Sequence, residues 1–239
     1  MVDTHADSGL QEKLSAFALF EALDARERER LVQKARWRRI PAGRPVLDRD
    51  SGARDVFFVA QGLVRVSNHS YSGRQISFED IGPGGFFGEL AAIDGQPRSA
   101  NVETIEESLI AGLDAQQFTS LVTAHPAVAL AVMKRLAFMV RQASKRIVDV
   151  STQPAEDRVC KELLRLAAAS SGAGDAAAVV ISPFPSHSAI ASRVSTTRET
   201  VARILGGLTR SGLIKRKQDV VVIDDLLRLA AMVEDKDSE

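Results

Sequence analysis

The chain has 239 residues, 45% of them hydrophobic, which is enough to build a core in each of two ordinary domains and too apolar for disorder throughout. Its 31 basic and 31 acidic residues cancel, so no global field draws it to nucleic acid. The single cysteine, Cys160, rules out an intrachain disulfide and any cysteine-built iron–sulfur or zinc site, and its neighbours Val159, Leu163 and Leu164 predict a buried thiol.

The segment from Met1 to Gly9 is polar and acidic, unlike a secretory leader. No stretch reaches the roughly 18 consecutive apolar residues of a membrane span, so no membrane partner is expected. A reducing cytoplasm is the expected compartment. From about Leu10 to Ala35, Phe17, Phe20, Leu23 and Leu31 fall at helical spacing. From Ile40 to Leu113 the texture changes to short runs such as Asp55-Val-Phe-Phe-Val-Ala and Leu63-Val-Arg-Val-Ser, separated by turns at Gly43, Gly52, Gly62, Gly73 and Gly82 to Gly85. Such runs predict an antiparallel sandwich or barrel.

A long helix is predicted from about Ala127 to Val150. There Ala129, Met133, Leu136, Val140, Ala143, Ile147 and Val150 recur at steps of four and three. Steps that average 3.5 residues lay a narrow apolar seam along one side, the pattern for pairing with a second helix. A homodimer is one solution and packing onto the chain's own barrel is the other. Pro154 breaks the helix and marks a hinge.

Beyond it the pattern runs helix (Ala155 to Ala169), a Ser-Ser-Gly-Ala-Gly loop, a strand (Val179 to Ser182), two helices and a pair of strands around Leu213 to Ile223, the winged-helix order. From Ala155 to Ile223 there are ten Lys and Arg against six Asp and Glu, and an acidic tail from Asp224 cancels that excess.

Two segments carry chemistry. In Gly84-Gly-Phe-Phe-Gly-Glu-Leu-Ala-Ala-Ile-Asp-Gly-Gln-Pro-Arg-Ser-Ala100, a Gly-rich turn leads into a short helix whose first amides favour an anion. A second turn then brings Arg98 and Ser99, a guanidinium and a hydroxyl suited to one phosphate. Glu89 would repel that anion unless it faces a neutral donor, and a ribose hydroxyl is such a group.

The second segment runs from His187 to Leu208. A helix of about eight residues ends near Ser195, and Thr196 or Thr197 caps the next, with Glu199 placed to close a capping box on Thr196. On the second helix Val201, Ile204, Leu205 and Leu208 share one arc of roughly 100 degrees, while Arg198, Glu199, Ala202, Arg203 and Gly206 lie opposite. Arg reads guanine O6 and N7, and Glu accepts from a cytosine amino group.

The Gly88-Glu89-Leu90 and Arg98-Ser99-Ala100 pair resembles the phosphate-binding cassette of the cyclic AMP receptor protein/fumarate-nitrate regulator (CRP/FNR) family. Arg198-Glu199-Thr200-Val201 followed by Arg203 is similar to that family's recognition helix. The resemblance covers nearly the whole chain. It implies an α+β fold: an N-terminal jelly-roll barrel with leading helices (residues 1–126), a dimerisation helix and hinge (127–153) and a winged helix-turn-helix domain (154–239).

It further implies that Gly88 and Leu90 give backbone approach, that Glu89 holds the ribose 2′-hydroxyl and that Arg98 with Ser99 holds a cyclic phosphate. Arg198, Glu199 and Arg203 would read G, C and G in TGTGA-like half-sites, with Thr197 and Thr200 on phosphates. Lys215 and Lys217, at the start of the wing, would add sequence-independent backbone contacts. The implied partners are double-stranded operator DNA, a second copy of the chain and RNA polymerase.

Two departures stand out. Ser195 occupies the interhelical turn where the family often has Gly. Alignment through His125-Pro126 and Arg158 puts Ala143 and Ser144 where the family presents Thr-Ser or Thr-Thr to the purine. The missing Thr leaves purine choice open: cyclic AMP is the expected effector, and cyclic GMP or a nucleotide-independent regulator are the alternatives.

An enzyme is not expected, because His5, His69, His125 and His187 are scattered, no metal-ligand spacing occurs and no nucleophile elbow is present. A gas- or redox-sensing relative is the other rival. The lone cysteine opposes an iron–sulfur version, and a haem on histidine stays open.

Overall fold

The computed structural model describes residues 17–21, 23–70, 75–170 and 178–234. The expectations for Leu10 to Ala16, for the turn at Gly73, for Ser171 to Gly174 and for the end of the acidic tail lie outside these residues.

Strand β3 (Val56–Gln61) shows why the first domain closes around two layers. Its alternation sends Phe57 and Val59 to one face and Val56, Phe58 and Ala60 to the other, and all five are buried because both faces are covered. Phe57 and Val59 join Ile40, Leu47, Val64, Ile81, Val102 and Ile110 between two sheets. Val56, Phe58 and Ala60 join Phe17, Phe20, Phe118, Val128 and Val132 beneath the helices.

The first sheet has the order β1 (Arg36–Ile40), β8 (Ser108–Leu113), β3, β6 (Phe86–Phe87), and the second has β2 (Pro45–Leu47), β7 (Asn101–Thr104), β4 (Val64–His69), β5 (Gln75–Ile81). All the pairings are antiparallel. The expected jelly-roll takes the form of two facing sheets.

The described part of the leading segment is a short turn followed by a helix. Ala18–Phe20 form a 3₁₀ turn, and α1 (Ala25–Lys34) starts afresh at Asp24, whose carboxylate accepts from the Glu27 amide while Glu27 reaches back to the Asp24 amide. The apolar positions Phe17, Phe20 and Leu23 serve that turn and are buried. Short helix α2 (Glu89–Asp94) and α3 (Ala115–Ala124) follow.

Pro126, with no amide proton to leave unpaired, then opens the 27-residue α4 (Pro126–Thr152). Val128 and Val132 of α4 bury against the chain's own core, and Leu136 packs partly on it. Met133, Val140, Ala143, Ile147 and Val150 of the predicted seam are exposed.

Contacts divide the chain into a unit ending at Val140 and one beginning at Arg141. In the second, α5 (Ala155–Ser170) starts directly after Pro154, and Val159, Cys160, Leu163 and Ala167 bury one stripe of it. Helices α6 (His187–Arg193) and α7 (Arg198–Arg210) and the sheet β10 (Ile214–Lys217), β11 (Val220–Ile223), β9 (Val179–Ile181) complete the winged helix. A final helix, α8 (Leu226–Glu234), lies in the segment read from sequence only as an acidic tail; Asp225 caps it by accepting from the Arg228 amide, and Leu229 and Val233 anchor it.

Among the described residues no single helix is long and apolar enough to cross a membrane. Phe58 lies against Phe17, Phe20 and Phe86 at ring separations of 5.8, 5.1 and 5.9 Å and is 1% exposed. Phe58→Ala is expected to cost about 3–5 kcal/mol, read from the urea midpoint of the full chain.

Candidate effector and nucleic-acid sites

Gly88 follows β6 and starts α2 with φ of 87°, a left-handed conformation that glycine adopts without strain. Its carbonyl accepts from Arg98 Nη1 at 2.7 Å, and Arg98 Nη2 donates to the Asp55 carbonyl at 2.6 Å. The Arg98 backbone is tied as well, its carbonyl accepting from the Asp50 amide at 3.1 Å. Arg98 is 3% exposed, and burial lowers its pKa against the opposing pull of Asp55 and Glu89. Its Nε is buried with no hydrogen-bond partner among the described residues. A buried cation with its Nε donor unused fits an anion better than it fits a purely structural role.

Glu89 opens α2 and is also 3% exposed. Burial raises its pKa, and the near presence of Glu79 adds to that, while its own amide, Arg135 and Arg98 pull it down. Leu90 is partly buried beside it, and Ser99 is exposed, its carbonyl accepting from Asn68 Nδ2 at 3.0 Å. Gly88, Glu89, Leu90, Arg98 and Ser99 are thus brought together in the first unit. Ala143 and Ser144 are exposed on the part of α4 that belongs to the second.

Sequence reading missed three side chains near the cassette. Glu79 of β5 and Arg135 of α4 form a bidentate ion pair at 2.7 and 2.5 Å, and both line an open cavity of about 290 Å³ with Ile81, Gly84 and Phe86. Asn68 is the third, with its Oδ1 buried and without a hydrogen-bond partner among the described residues. No local motif marks a pair 56 residues apart.

In the second unit, Val201, Ile204, Leu205 and Leu208 of α7 are buried as expected, and Arg198, Glu199, Ala202 and Arg203 are exposed opposite them. The cap is Thr197, whose hydroxyl accepts from the Thr200 amide at 3.2 Å and sits 3.0 Å from the Thr200 hydroxyl. The box expected between Glu199 and Thr196 does not form, because Thr196 turns inward and is 7% exposed. Glu199 is held below the usual carboxylate range by its own amide and the Thr197 hydroxyl, so it is an ionised acceptor at neutral pH.

The first helix ends at Arg193, two residues early, and Ser195 takes a left-handed φ of 55°. Two arginines hold that turn. Arg146 Nη2 donates to Ser195 Oγ at 2.9 Å and to the Ser192 carbonyl at 3.2 Å. Arg158 Nε donates to the Val194 carbonyl at 2.9 Å. A glycine would relieve the backbone but offer Arg146 no hydroxyl.

On the wing, Lys215 pairs with Asp224 at 3.2 Å and Lys217 is exposed, while Arg216, on the alternate face, meets His187 at 2.7 Å.

Known proteins share both halves of this arrangement. The family model for the cyclic nucleotide-binding domain matches residues 37–125, and that for the Crp-like helix-turn-helix domain matches residues 157–232. The chain is 27% identical over 217 residues to the cyclic AMP receptor protein of Thermus thermophilus, covering 91% of this chain and 95% of that one. It is 30% identical over 181 residues to the transcriptional regulator LdrP of Thermus thermophilus, covering 76% and 88%.

The fold matches the c-di-GMP responsive global regulator CLP of Xanthomonas campestris with a TM-score of 0.74 at 21% identity, over 84% of this chain and 99% of that one. The two halves define a DNA-binding regulator with a cyclic nucleotide-binding domain. The chain belongs to the CRP/FNR family of transcription regulators.

A Cβ on Gly88 would lie 2.7 Å from Arg98 Nη1 and 2.9 Å from the Asp55 carbonyl. Gly88→Ala is expected to destabilise the first unit by about 1–3 kcal/mol, seen as a lower thermal midpoint, and to displace Arg98.

Proposed function

We propose that the chain is a homodimeric, cyclic-nucleotide-responsive regulator of palindromic TGTGA-like operators, with cyclic AMP as effector. The observation that carries this reading is Arg98: buried, cationic and left with an unused Nε donor at the head of the cassette. In the proposed assignment Arg98 and Ser99 hold the cyclic phosphate, Glu89 accepts from the ribose 2′-hydroxyl, and Gly88 and Leu90 let the backbone come close. The likeness to the Thermus thermophilus cyclic AMP receptor protein supports the choice of nucleotide.

Cyclic GMP is the second reading, because Ala143 supplies no hydroxyl where the family has Thr and leaves Ser144 alone to meet the base. On DNA, Arg198, Glu199 and Arg203 read bases, and Thr197, Thr200, Lys215 and Lys217 hold phosphates. The exposed seam Met133, Val140, Ala143, Ile147 and Val150 supports pairing through α4 with a second copy.

The division into residues 1–126, 127–153 and 154–239, a hinge at Pro154, recruitment of RNA polymerase and a cytoplasmic location belong to the same proposal. Effector need only bind the DNA-competent arrangement better: a hundredfold preference corresponds to about 2.7 kcal/mol.

Calorimetric titration with cyclic AMP and cyclic GMP tests the pocket. Arg98→Ala is expected to abolish high-affinity binding, and a near-wild-type isotherm would refute the assignment. Glu89→Gln is expected to act with opposite signs: it removes a buried charge, so the nucleotide-free protein melts a few degrees higher, while nucleotide affinity falls about tenfold or more. Ile147→Glu is expected to shift the protein to monomer in sedimentation velocity and to weaken operator binding with it.

A further inference from the structure

The wing and the start of the helix-turn-helix enclose a cleft of about 440 Å³ that none of the residues assigned above, apart from Arg198, explains. It is lined by Ser186, His187, Arg198, Arg216 and Asp219 among others. Strand alternation puts Arg216 on the face opposite to Lys215 and Lys217, so the middle residue of the basic triplet points here. Arg216 Nη1 lies 2.7 Å from His187 Nε2. Because guanidinium can only donate, His187 Nε2 is the acceptor, and the imidazole in the free protein is neutral.

The charged groups that act on His187 are Arg216 from β10 and Arg198 from α7, and Asp219 of the hairpin turn also lines the cleft. Two permanent cations beside a neutral imidazole make an incomplete anion seat. The cleft holds room for a phosphodiester, and its rim carries the Ser186 and Ser188 positions.

We propose that this cleft seats one backbone phosphate of the operator, and that His187 takes up a proton as it does so, making DNA binding by this chain tighten as the pH falls. The inference rests on the DNA-binding reading above and adds a residue pair, His187 and Arg216, and a regulation to it.

The sign follows from the neighbours. In the free protein the His187 pKa is lowered by burial, then by Arg216 and Arg198. A bound phosphate supplies the opposite charge and raises it. Between the free and bound values each subunit binds a proton with its DNA, and affinity grows by up to about tenfold per pH unit per subunit. Outside that window His187 contributes no slope.

The test is fluorescence anisotropy of the full chain at constant ionic strength from about pH 8 to about pH 5.5, across the titration range of histidine. The probes are a palindromic duplex with TGTGA-type arms and a scrambled duplex of equal length, both with cyclic AMP present. Wild type is expected to bind both more tightly as pH falls, because phosphate carries no sequence. His187→Gln, which keeps an acceptor for Arg216 and cannot charge, is expected to lose that slope.

Calorimetry of wild type in two buffers of different ionisation enthalpy is expected to register proton uptake that His187→Gln lacks. Arg216→Gln is expected to lower the slope of log affinity against log salt by about one per subunit. A pH slope that persists in His187→Gln, or a salt slope unmoved in Arg216→Gln, overturns this inference and leaves DNA binding intact. A wild type that binds neither duplex at any pH removes the DNA-binding reading and this inference together.

Discussion

Taking a guanidinium out of water is costly unless its donors are met, and in the first unit main-chain carbonyls alone meet both terminal nitrogens of Arg98. Those carbonyls belong to Gly88 and Asp55, and the arginine's own backbone is fixed to the loop at Asp50 and Ser51. That one side chain therefore joins the start of β3, the start of α2 and the turn after it. It also dictates what can stand at residue 88, since any Cβ there would collide with the guanidinium. Among the described residues Arg98 is held in place without a side-chain hydrogen-bond partner, which leaves its charge and its Nε for the proposed phosphate.

The electrostatics around it form a graded set. Glu89 is buried and feels Arg98, Arg135 and Glu79 together, two cations that lower its pKa and one carboxylate that raises it. Burial outweighs those cations and leaves Glu89 with its pKa raised, the condition under which a neutral hydroxyl is a better neighbour than an anion. The proposed division of labour, phosphate on Arg98 and ribose on Glu89, is consistent with those charges.

In the second unit the corresponding constraint is the interhelical turn. Ser195 accepts a left-handed backbone, and its hydroxyl gives Arg146 an acceptor; Arg158 secures the neighbouring carbonyl. With the turn fixed, burial of Val201, Ile204, Leu205 and Leu208 decides which way α7 faces, and the arginines and Glu199 are exposed by default. The wing then adds its own selection, because alternation separates Arg216 from the two lysines that flank it.

Much of this was legible in the residues. Gly88 to Ser99 is a local motif, and the arc of α7 is a repeat within one helix, so both survive without knowledge of the rest of the chain. The extent of α4 and the continuous apolar run at β3 were legible for the same reason. Helix α8 was obscured by reading charge before spacing, although Asp225, Leu229 and Val233 carry a cap and an i, i+4 stripe. Only tertiary structure could decide the strand order β1-β8-β3-β6, the pairing of Glu79 with Arg135, the contact of Arg146 with Ser195 and the meeting of His187 with Arg216. Helix and strand periods describe how a segment faces its immediate surroundings. They carry no information about which distant segment supplies those surroundings, and that is fixed by how the buried faces of the whole unit pack against one another.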